Sequence, residues 1–78
     1  MHNDYLVRMA NDIGKFFASE PDEKEAAQNV SAHIKRFWDP RMRAQIISYY
    51  RSGGEGFSDI VAKAIQVLTQ EAEGGSKK

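Results

Sequence analysis

Few residues in this chain have the types and spacing for chemistry: two histidines, an acidic run, a glycine-rich turn and a basic stretch holding two aromatics. A metal site needs several convergent ligands, and His33 has neither a cysteine nor a second ordered histidine to share an ion with, His2 being terminal. His33 reads as a helix-margin histidine bonded to backbone or carboxylate. Glu20, Asp22, Glu23 and Glu25 can form a carboxylate pair or cation site, but at a helix start they also complement the positive end of the dipole, and the second reading is the ordinary one. "SGGEG", Ser52 to Gly56, resembles a phosphate loop only superficially. It lacks the lysine and the preceding strand that make such a loop work, and it suffices as a helix terminator.

The stretch "HIKRFWDPRMR", His33 to Arg43, is more informative. Lys35, Arg36, Arg41 and Arg43, less Asp39, give a local charge of +3 around Phe37 and Trp38, while Glu20 to Glu25 sum to −3. A neutral chain with 11 basic and 11 acidic residues is thus dipolar. Trp, Tyr and Arg are the enriched anchors of protein interfaces. They also serve phosphates and stacked bases, but a nucleic-acid domain is expected to be strongly basic, and this chain is not. Without cysteine, disulfides and thiolate-bound zinc or iron–sulfur clusters are excluded within the chain. That suits a reducing cytoplasm. No apolar run approaches the roughly 20 residues of a membrane span, the amphipathic stretches do not suggest a membrane-surface helix, and "MHNDYLVRMAND" has no secretory signal pattern.

Four helical patterns position these residues, and no strand pattern or repeat accompanies them. The first helix is expected from Asn3 or Asp4 to Ala18, with Tyr5, Leu6, Met9, Ala10, Ile13, Phe16 and Phe17 on its apolar arc and Gly14 opposite, either idle or in close backbone contact with a neighbour. "SEPDEKEAAQ" opens the second, with Ser19 as cap and Pro21 in the first turn; Ala26, Ala27, Val30, Ile34, Phe37 and Trp38 form its inner arc. Pro40 cannot continue that helix and disfavours the helical conformation at Asp39, so Asp39 is the natural cap and Pro40 the first residue of a third helix. Its arc carries Met42, Ile46, Ile47, Tyr49 and Tyr50, and "RSGGEG" ends it with Gly53 as a left-handed cap. The fourth begins near "FSDIVAKAIQVL" with Ser58 as cap and Phe57, Ile60, Val61, Ala64, Ile65, Val67 and Leu68 inward. At 78 residues the expectation is one all-α domain over 1–73, a compact irregular, orthogonal bundle of about four helices with a sharp corner at Asp39–Pro40, followed by a flexible tail over 74–78.

On the third helix the two arginines separate. Arg41 falls on the polar side, whereas Arg43 falls inside the apolar arc and must leave along its stem or be paired. Arg43 is within reach of the carbonyl end of the second helix, of a carboxylate, or of a partner protein. Two readings of the stretch therefore stand together. In one, Trp38, Asp39, Pro40 and Arg43 are a pinned structural corner. In the other, Lys35, Arg36, Phe37, Trp38, Arg41 and Arg43 are candidate partner-binding residues.

The order "MANDIGKFF", "HIKRFWDPRMR", "GGEGFSDIVAKAI" resembles the delta subunit of NAD-dependent, molybdenum-containing formate dehydrogenases, over roughly Leu6 to Leu68. "FWDPRMR" (Phe37 to Arg43) and "GGEG" (Gly53, Gly54 and Gly56 with Glu55) carry it most specifically. The resemblance implies a small accessory subunit that is not itself catalytic. It also implies that molybdopterin guanine dinucleotide, iron–sulfur clusters, FMN and NAD belong to the other subunits. The implied partners are the catalytic alpha subunit and its beta and gamma assembly, in the cytoplasm, with neither nucleic acid nor membrane. A transient factor for insertion of the molybdenum cofactor is the alternative expectation, and a free nucleic-acid-binding or regulatory helical protein a more distant one. Exposed aromatics leave self-association of the isolated chain open.

Overall fold

The computed structural model describes residues 2–72, and side chains from residue 4. It contains four α-helices and, among the described residues, no strand: α1 (His2–Phe16), α2 (Glu23–Phe37), α3 (Pro40–Arg51) and α4 (Asp59–Ala72). α1 is already helical at His2, ahead of the start expected at Asn3 or Asp4; the side chain of His2, the domain end at 73 and the tail over 74–78 lie outside what is described.

Each helix start has a local cause. α2 is capped by Asp22 rather than Ser19: one Asp22 carboxylate oxygen accepts from the backbone N–H groups of Lys24 (3.0 Å) and Glu25 (3.4 Å). A carboxylate satisfies two orphan donors and faces the positive helix end, so the helix begins three residues later than Ser19 would set it. At α3 the Asp39 carboxylate accepts from Met42 N–H at 2.9 Å with Pro40 at the first position. At α4 the Ser58 hydroxyl accepts from Val61 N–H at 3.4 Å. α3 ends on a pair of crossed bonds, Gly53 N–H to Tyr50 O (3.2 Å) and Gly54 N–H to Tyr49 O (3.0 Å). This Schellman arrangement needs positive φ at its turn, which Gly53 (132°) and Gly54 (56°) supply.

Trp38 and Asp39 are extended, with ψ of 141° and 166°. That two-residue break swings α3 away, so α2 and α3 scarcely touch, although they are neighbours in sequence. The most extensive packing is instead α2 on α4. Lys63–Glu23 and Lys35–Glu71 ion pairs, each 2.8 Å, join these helices start to start and end to end. The two therefore run side by side in the same direction, α3 providing the return. α1 lies against all three others. The core between them is aliphatic, centred on Val30, Ile34, Ile46, Val61, Ala64 and Ile65, with Trp38 closing one edge.

The face that α1 buries differs from its expected arc. Leu6, Val7, Ala10 and Gly14 are inside, while Tyr5 and Phe16 are 68% and 77% exposed. The buried stripe is turned by roughly 90° from the centre of the expected arc, at about 100° per residue. Gly14 gives the reason. A β-carbon there would lie 2.6 Å from Val61 Cγ2, so α1 presents its glycine side to α4 and approaches closer than any side chain allows. Phe37 also departs from the expected inner arc of α2, at 67% exposed. α1 runs out at Phe16, and Phe37 is the last residue of α2. Two buried polar residues, Ser31 and Thr69, complete the faces of α2 and α4, the Thr69 hydroxyl donating to Ile65 O at 2.8 Å.

Candidate functional site

The chain's end of α2 divides into an inner and an outer half. On the inner half Trp38 is 5% exposed. Arg43, half-buried on the second turn of α3, donates through Nη1 to Trp38 O (2.6 Å) and Lys35 O (3.2 Å). The last carbonyls of a helix lack intrahelical partners and carry its negative end, so a guanidinium there satisfies both needs. A basic residue early in α3 opposes the dipole of its own helix, but Arg43 is aligned with that of α2. Trp38, Asp39, Pro40 and Arg43 are thus brought together, with the Trp38 ring directed into the core and unavailable at the surface.

The outer half carries Lys35, Arg36, Phe37 and Arg41. Lys35 is taken up by Glu71. Arg36 is exposed and stands over the Phe37 ring, 5.9 Å from its centroid. Arg41 is exposed and has neither a hydrogen bond nor an ion pair among the described residues. Phe37 lies 4.7 Å from the His33 ring, His33 lies 6.2 Å from Phe17, and Phe17 lies 5.0 Å from Phe16 in an edge-on contact. Four rings therefore form one row from the end of α1 to the end of α2. Beside it is an open apolar pocket of about 270 Å³ lined by Asp12, Ile13, Phe16 and His33. His33 packs between aromatic rings, not against backbone or a carboxylate as its helix-margin position had suggested.

The other candidates have structural roles. Asp22 caps α2 and Glu23 pairs with Lys63, whose pKa is raised first by that hydrogen bond and then by the carboxylate's charge. No group of three or more His, Asp or Glu able to hold a metal ion occurs among the described residues. Nor is any helix there long and apolar enough to cross a membrane. Gly53 and Gly54 terminate α3, and Gly56 lies beside Val7.

Sequence reasoning missed Asn11. Its amide donates to Gly56 O (2.8 Å) and accepts from Ser58 N–H (3.0 Å), fastening the α3–α4 loop to α1. Tyr49 adds a hydroxyl bond to Glu55 O at 2.7 Å. An asparagine in the middle of a helix, where its propensity is poor, was the available signal. It also missed Phe16 as a surface residue, because an apolar arc does not reveal which part of it the neighbours cover.

No curated protein matches the chain, and no solved structure does. One family model does, over residues 5–65, which takes in most of α1, the corner, the glycine terminator and the first half of α4. By that match the chain belongs to the NADH-dependent formate dehydrogenase delta subunit family, FdsD.

Proposed function

We propose that this chain is a non-catalytic accessory subunit that docks on the catalytic alpha subunit of an NADH-dependent formate dehydrogenase and supports the stability or assembly of the holoenzyme. The observation that carries the reading is the exposure of Phe16 and Phe37, 77% and 67%, at the two ends of one row of rings. Exposed apolar rings grouped in one patch mark a surface meant for a partner. The chain has no cysteine with which to hold a cluster by thiolates. The reading accordingly leaves the molybdopterin, iron–sulfur, flavin and NAD sites to the alpha, beta and gamma subunits, and the assembly to the cytoplasm.

Purification of the enzyme from cells producing a tagged form of this chain tests the proposal. A stoichiometric delta chain in active enzyme is expected. Fully active enzyme that lacks it would favour a transient factor for cofactor insertion, and formate turnover by the chain alone would contradict an accessory role.

A further inference from the structure

We infer that the ring row, together with Arg36 and Arg41, binds an acidic, apolar segment of the partner protein. One large apolar side chain of that segment enters between Phe16 and His33, and a carboxylate meets Arg36 and Arg41. This rests on the accessory-subunit reading and names the chemistry of the docked partner.

The charges point to an acidic partner. Lys35 and Lys63 are neutralised inside the chain by Glu71 and Glu23. Arg36 has only the Phe37 ring, and Arg41 has no hydrogen bond or ion pair among the described residues. A planar guanidinium matches carboxylate geometry with two parallel bonds, and Arg36 stands over the Phe37 ring. The pocket supplies the apolar half: its walls are Ile13, Phe16 and His33, with Asp12 at the rim. Asp12 also sets direction, since a partner carboxylate is repelled there and favoured over Arg36. The same aspartate weighs against a phosphate backbone as the occupant.

A standard interface covers about 800 Å² per partner, about one-sixth of the 5140 Å² surface. The four rings form the centre of such a patch, with Arg36 at the Phe37 end of the row, the arrangement of an apolar hot spot and a polar border.

The test uses the enzyme assembled from all its subunits, with a photo-crosslinking amino acid in place of Phe37 and mass spectrometry to identify the segment captured. The expected product joins position 37 to a segment of the catalytic assembly that has a large apolar residue with an aspartate or glutamate close by. Arg36→Glu with Arg41→Glu is expected to weaken association by roughly tenfold or more, with unchanged helical circular dichroism. A cross-link to a second copy, to nucleic acid or to a segment without a carboxylate overturns the inference. So does a co-purified chain that gives no cross-link and tolerates the double charge reversal, while the accessory-subunit reading survives. A wild-type chain missing from the assembly defeats that reading, and this inference with it.

Discussion

Gly14 and Val61 set the orientation of α1: a β-carbon on the glycine would lie 2.6 Å from Val61 Cγ2. This contact leaves Tyr5 and Phe16 at the surface, while Met9, Ile13 and Phe17 stay packed against the edge of the core. Gly14→Ala gains about 1 kcal/mol of helix propensity but must displace a buried, β-branched neighbour. A net loss of about 1–3 kcal/mol is expected from overpacking, read by urea unfolding. A double-mutant cycle with Val61→Ala should show a coupling that offsets part of it; a Gly14→Ala variant as stable as wild type would mean that α1 does not depend on this approach.

Arg43 holds the corner through carbonyls, not carboxylates. Arg43→Met keeps most of the stem and removes both bonds, leaving Trp38 O and Lys35 O without that donor. The expected cost is about 1.5–3 kcal/mol, the range for hydrogen bonds to a charged group. Trp38 fluorescence should shift to the red at lower denaturant than in wild type, because the ring it reports on adjoins the loosened turn.

Asn11 makes two bonds of different sense, and substitution can separate them. Asn11→Ala loses both, at about 1 kcal/mol each. Asn11→Asp keeps an acceptor for Ser58 N–H but cannot donate to Gly56 O. Amide exchange at Ser58 should therefore quicken in the alanine variant and stay protected in the aspartate one. Equal exchange in both would contradict the assignment.

The adjacent aromatics of α2 should behave oppositely. Trp38→Ala removes a core side chain and is expected to cost about 3–5 kcal/mol. Phe37→Ala and Phe16→Ala, being exposed, are expected to change stability by about 0.5 kcal/mol or less. Their effect should appear instead in co-purification with the formate dehydrogenase subunits.

The Lys63–Glu23 pair gives an alkaline signature. The hydrogen bond from Glu23, then its charge, raises the Lys63 pKa above the ordinary lysine value of 10.5. A raised folded pKa means that the stabilisation is fully present below the unfolded value and is lost as pH rises through the folded one. Lys63→Met should remove that part of the alkaline decline in stability, measured against wild type. The difference should be small and should shrink in high salt, since the pair is exposed.

The sequence by itself determined the four helices, the Asp39–Pro40 corner, the Ser58 cap and the Gly53 terminator. Each depends on interactions within a few residues: a side-chain oxygen on a nearby N–H, a proline ring, a positive φ. Even among local signals there was competition, and Asp22 displaced Ser19 as a cap because its carboxylate accepts from two donors. The reach of Arg43 was legible as a choice among acceptors, and the tertiary structure selected the carbonyls of α2. Only that structure decided which side of α1 is buried, that Phe16 and Phe37 stay exposed, and that Asn11 fastens a loop more than forty residues away. An apolar arc states what a helix is able to bury. How closely a neighbour approaches, and where that neighbour ends, determines what it does bury; here the glycine opposite Val61 and the last residue of α1 settled both.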